Sequence, residues 1–179
     1  FVDSLGALSH AQEVGALPEV GAHLPLVNPC ALKAAARLGA TRVWLSPELT
    51  LGQIADIAQH SPVELGLTIL GAQELMITEH CLLMSQGPCD ENCDECPRRK
   101  SPHYLKDRKD FEFPVITDAL GRSHLFNGVE LDVAHTMSDL MAAGISAVMV
   151  DTTLMNVEQT TQAVARAVRA RSVAHASGN

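Results

Sequence analysis

Residues 41–70 read TRVWLSPELT LGQIADIAQH SPVELGLTIL, and the fold turns on this stretch. Residues 41–46 form a short, mostly apolar run closed by Pro47, the signature of a strand. Thr50-x-x-Gln53 is a capping box, and Leu51, Ile54, Ile57 and Ala58 give the helix behind it an apolar face ending near His60. Ser61-Pro62 turns the chain into residues 63–70, a second strand. Its imperfect alternation is expected where both faces are covered. Strand, helix and strand joined by short connections make a parallel βα unit.

The same rhythm extends both ways. Phe1-Val2-Asp3 reads as the end of a strand, Ser4 to Val14 as a helix closed by Gly15, and residues 22–28 as a strand made awkward by Pro25. Pro29 opens an alanine-rich helix that ends at Gly39. Beyond residue 130, Thr136-x-x-Asp139 is a cap for a helix with Met137, Leu140 and Met141 inward, and Gly144 terminates it. Residues 145–150 read as a buried strand. Asn156-x-x-Gln159 opens a last helix to about Val173, with Val157, Val164 and Val168 on one face, and residues 175–179 are expected to fray. About five parallel strands result, and no G-x-G-x-x-G follows any of them. A complete barrel takes roughly 250 residues. The chain has 179 and begins with Phe. The expectation is therefore α/β: a single domain over 1–179 forming the C-terminal part of a βα (TIM-like) barrel cut from a longer chain.

Residues 79–127 interrupt the rhythm. They carry Cys81, Cys89, Cys93 and Cys96, spaced C-x7-C-x3-C-x2-C. Thiolates are soft, charged ligands, and four of them suit tetrahedral Zn2+ or a 4Fe-4S cluster. Gly87-Pro88 permits a sharp turn before Cys89, and Pro97 stops a helix from running through the knuckle. Two disulfides or four unrelated buried thiols are the competing readings. Residues 111–117 and 123–127 flank Asp118-Ala119-Leu120-Gly121-Arg122, a loop suited to a β-hairpin carried with the insert. Cys30, alone at a helix start, reads as a buried apolar filler.

The composition, 46% hydrophobic and 19% charged, is that of a globular domain. A net charge of −8 argues against general binding to nucleic acid or anionic membrane. Against this stands one basic run: Arg98, Arg99, Lys100, Lys106, Arg108 and Lys109. It could meet RNA phosphates or an acidic partner, or simply be a solvated face. No apolar run reaches bilayer length. Reduced cysteines without a targeting segment point to the cytoplasm.

Four side chains are candidate catalytic groups: Glu48, His80, Arg122 and His124. Glu48 ends a parallel strand, where barrel sites lie, yet a carboxylate there also suits a helix start. His80 adjoins Cys81 and could be a ligand, a hydrogen-bond donor to a thiolate or a proton shuttle; a satisfied polar group is the alternative. Glu74 and Glu79 flank it, either as partners or as solvated charges. Arg122, His124 and Asn127 lie along one hairpin, where Arg122 could bind a carboxylate or phosphate. His23 and Asn28 are weaker candidates. No G-x-S-x-G or H-E-x-x-H motif is present.

Leu45-Ser46-Pro47-Glu48-Leu49, Glu74–Cys81, Gly87-Pro88-Cys89, Tyr104–Lys109, Phe113-Pro114-Val115 and Gly121–Asn127, in that order, closely resemble the collagenase-like peptidase family, peptidase family U-32. The resemblance covers nearly the whole chain and corresponds to the C-terminal portion of the family's core domain. It implies a βα barrel and, from the family's name, proteolysis. It also implies what better-understood relatives do: hold an iron–sulfur cluster on four cysteines and take part in hydroxylating RNA or the ubiquinone ring. By position Cys81 and Cys89 match the first two cluster cysteines. Cys93 and Cys96 are more closely spaced than in those relatives, which leaves room for zinc. Three functions are thus expected to compete: a peptidase, a cluster-dependent hydroxylation enzyme of RNA or a quinone precursor, and a non-catalytic binding module for RNA or protein with a zinc knuckle. An incomplete barrel also implies self-association, or association with the missing N-terminal part.

Overall fold

A computed structural model describes residues 1–177. The described chain divides into two compact units, residues 1–71 with 132–177, and residues 72–131. Residues 178 and 179, within the stretch expected to fray, lie outside the described residues.

The first unit opens with α1 (Leu5–Glu13), whose N-cap Ser4 accepts from the Ala7 N–H. It continues through β1 (Glu19–Val20), α2 (Pro29–Arg37), β2 (Arg42–Trp44), α3 (Leu51–Ala58) and β3 (Glu64–Gly71). The capping box of α3 forms as the sequence demands, each side chain of Thr50 and Gln53 bonding the other's backbone N–H. Strands β1, β2 and β3 are parallel neighbours, and Val2 extends the series by a single parallel bridge to Val20. Residues 22–28 are not a strand. Pro25 has no N–H to give a ladder, and the pairing falls instead on Glu19-Val20. Asn28 is the N-cap of α2 and bonds the Ala31 N–H at 2.9 Å. Cys30, expected as a buried filler at this helix start, is exposed.

Along β2, one face carries Val43, fully buried against Val20 and Leu65. The other carries Arg42 and Trp44. Trp44 lies directly opposite Gly66, where a Cβ would come within 2.5 Å of the indole, so only glycine fits. The first residues of the three strands stand in register, Glu19 beside Arg42 beside Glu64. Arg42 bonds Glu19 at 2.5 Å and bonds Glu64, while the Trp44 indole N–H donates to Glu19 at 2.8 Å.

The second unit is an antiparallel sheet of β4 (Glu74–Thr78), β5 (His103–Lys106), β6 (Glu112–Thr117) and β7 (Ser123–Phe126), in spatial order β4-β7-β6-β5. The expected hairpin is β6–β7, and β4 and β5 widen it to four strands. The cysteine stretch lies between β4 and β5 as two short 3-10 turns, Leu82–Gln86 and Pro97–Lys100, with irregular chain between them.

The chain then rejoins the first sheet at β8 (Leu131–Asp132) and continues through α4 (Met137–Ala142), β9 (Ala147–Asp151) and α5 (Val157–Ser177). β9 pairs parallel with β3, completing a five-stranded sheet that does not close on itself among the described residues. Thr136 stands at the N-cap of α4 but makes no side-chain cap bond. A 3-10 turn precedes that helix, and the Thr136 hydroxyl bonds back to the Val133 carbonyl. The valine stripe of α5 is also not the buried one: Val157 and Val168 are 85% and 59% exposed, whereas Ala163, Ala167 and Ala174 enter the core. Around this open sheet Leu65 and Leu67 are buried, whereas Ala22, Leu24, Val148 and Val150 are only partly so. No described helix is long and apolar enough to cross a membrane.

Candidate metal centre and acid–base array

In the second unit Cys81, Cys89, Cys93 and Cys96 line one small cavity of about 20 Å³, walled by Leu83, Arg99 and Thr117 among others. All five cysteines of the chain are free thiols, so the disulfide reading finds no support. The thiols converge without closing. Among the described residues no three His, Cys, Asp or Glu side chains stand in ligating geometry. Their proximity still has an electrostatic signature: burial and the neighbouring Cys89, Cys81 and Cys96 push the Cys93 thiol up, with Arg99 opposing. A cation among these sulfurs would reverse that penalty, so the donor set fits a thiophilic metal.

The loop is braced by the two arginines that the sequence suggested for RNA. Arg98 donates to the carbonyls of Leu83, Gly87 and Pro88. Arg99 donates to Thr117 at 2.9 Å and to Cys93, tying the knuckle to β6. Lys106 pairs with Asp110 at 3.2 Å. Half of the basic run is therefore engaged within the unit. The Leu82 N–H donates to Ser123 Oγ at 2.9 Å, anchoring the other end of the stretch to β7. Gly121 closes the β6–β7 turn at φ +80°, and a Cβ there would lie 3.0 Å from Cys93 Sγ.

A second cluster sits on the opposite face of this sheet. Directly paired residues share a face, so Ser123 and Thr117 belong to the cysteine side, and Ile77, His124 and Ile116 to the other. His124 Nδ1 lies 2.5 Å from Glu74 Oε1, and its Nε2 lies 3.5 Å from Asp118 Oδ2. Asp118 in turn holds Arg122 at 2.7 Å and accepts the backbone N–H groups of Leu120 and Arg122. Burial alone would raise the Asp118 carboxyl, but the bonds from Arg122, Leu120 and His124 outweigh it and lower it to about 2. Asp118 and Glu79 reinforce the charge of Arg122, raising its pKa against the opposing effect of burial.

Arg122 and His124 are thus brought together, through Asp118 and beside Glu74. Asp118 escaped notice because it looked like an ordinary turn residue. His80 is exposed, its N–H bonded to Thr78, and its ring is not part of the cysteine cavity. In the first unit Glu48 is exposed beyond the carboxyl end of β2, its N–H bonded to Ser46 Oγ. His23 lies 3.7 Å from Asp3.

An α/β chain with a thiol-lined cavity on an antiparallel sheet is the class defined so far. The chain belongs to Peptidase family U32, whose family model matches residues 15–177. No curated protein and no solved structure matches it.

Proposed function

We propose that this U32 chain holds one metal centre on Cys81, Cys89, Cys93 and Cys96 and belongs to an enzyme of cluster-dependent hydroxylation rather than peptide hydrolysis. The observation that carries the metal centre is the convergence of all four thiols on one cavity. A 4Fe-4S cluster there supplies single electrons, whereas Zn2+ held by four thiolates has no open position and braces the loop. Against hydrolysis, both ring nitrogens of His124 face carboxylates, and among the described residues no hydroxyl or thiol is bonded to either. Glu74, His124, Asp118 and Arg122 form an array suited to holding a proton against a group laid on that sheet face. Of the two substrates, the inward turn of Arg98 and Arg99 favours a quinone precursor over RNA.

The second reading, a zinc-braced binding module, is favoured by the cavity's size, since about 20 Å³ admits a single ion without movement of the loop. Free thiols support a reducing, cytoplasmic setting. The barrel reading remains a proposal consistent with the open parallel sheet, in which further strands, or a second copy, would cover β9. Anaerobic purification with iron, sulfide and zinc counted per chain tests the centre. Four irons and four sulfides support the enzyme, and one zinc supports the module. Neither metal bound at stoichiometry removes the centre.

A further inference from the structure

A cavity of about 520 Å³ in the first unit has a lining unlike the rest of this acidic chain. The chain has 21 acidic and 13 basic residues, yet among the described residues no carboxylate lines this space. Its ionisable groups are Arg42, Arg171 and His175, and its floor is apolar, with Met141, Ile145 and Val148. The side chains of Arg171 and His175, one turn apart on α5, have no partner among the described residues. Arg42 spends its terminal nitrogens on Glu19 and Glu64, and its Nε is buried without a hydrogen-bond partner. Volume, apolar floor and a few convergent donors are the features of a small-molecule site. Methionine at the wall lets such a site adapt to its ligand.

We propose that this cavity binds a small amphiphilic carboxylate, its apolar body on the methionine side and its anionic head against Arg171 and His175. A neutral molecule of the same shape would leave Arg171 without a counter-charge. A dianionic nucleotide would bring its polar sugar onto the apolar floor. The inference does not rest on the cysteine centre, whose metal content is read separately.

The test is displacement of dansylundecanoic acid from the whole chain by decanoate and by decanol, followed by fluorescence. Decanoate should displace the probe at least about tenfold more tightly than decanol, the scale of a charge-assisted hydrogen bond. The double variant Arg171→Ala/His175→Ala, at two exposed positions, should weaken decanoate about tenfold and leave decanol unchanged. Met141→Trp should reduce both ligands by filling the floor. Equal displacement by acid and alcohol, or decanoate binding untouched by the double variant, overturns the proposal, as does a probe that never binds.

Discussion

His124 Nδ1 and Glu74 Oε1 lie 2.5 Å apart across β7 and β4, joining strands whose residues are 50 positions apart in the chain. The two side chains are 22% and 16% exposed, so water screens this contact only in part. Their coupling is expected to be about 1.5–3 kcal/mol, the range for a hydrogen bond to a charged group. A double-mutant cycle of Glu74→Gln and His124→Gln in urea measures it. Additive losses would show that the pair contributes nothing as a pair.

Replacing Cys93 by Ser should cut bound metal well below one centre per chain, because the remaining three thiols leave one position open. Metal analysis of the anaerobic protein checks this. Cys30→Ser, at an exposed position outside the cavity, is the control and should bind normally.

Asp118 gives the chain an acid limb. Its carboxyl lies at about 2 in the fold against an ordinary 3.8, so its contribution is fully present above 3.8 and fades as pH falls toward 2. Asp118→Asn should therefore lower the melting temperature at neutral pH and flatten its dependence between those two values. An unchanged acid limb in melting curves would place the lost stability elsewhere.

Gly121→Ala should destabilise the second unit by about 1–2 kcal/mol, the cost of a left-handed backbone for a residue with a Cβ. It should also weaken metal binding, because the new methyl lies 3.0 Å from the Cys93 sulfur. Chemical denaturation read with and without chelator separates the two effects.

The strand β4 is an edge of its sheet with Leu75, Met76 and Ile77 about half exposed and no lysine or proline to guard it. The other edge, β5, carries Lys106. Self-association at micromolar concentration is expected, and Met76→Lys should shift light scattering toward the monomer. A wild-type monomer at those concentrations counts against it.

The parallel units were legible because they are local. A capping box, a terminating glycine and a β-rich run each declare themselves within ten residues, and α3 and β3 follow them closely. Sequence reading stumbled where a partner decides. Residues 22–28 look apolar enough for a strand, but the strand is wherever Arg42 and Val43 find a register. In α5 the valines lie along one face, but it is the alanine stripe that packs into the core, where small side chains let the helix lie close. The four thiols and the histidine could be picked out by residue type. That they occupy opposite faces of one sheet follows only from the pairing of β4, β6 and β7.

The ladder of Glu19, Arg42 and Glu64 has a consequence for how the first sheet assembles. Sliding β1 or β3 by one position against β2 would turn Val20 or Leu65 toward the arginine and strand its charge in a half-buried place. The native alignment is thus checked twice, once by the apolar side of β2 and once by its cation. A folding chain that docks a strand out of step meets an immediate electrostatic error and lets go. These three charges thus act as a register check for β1, β2 and β3.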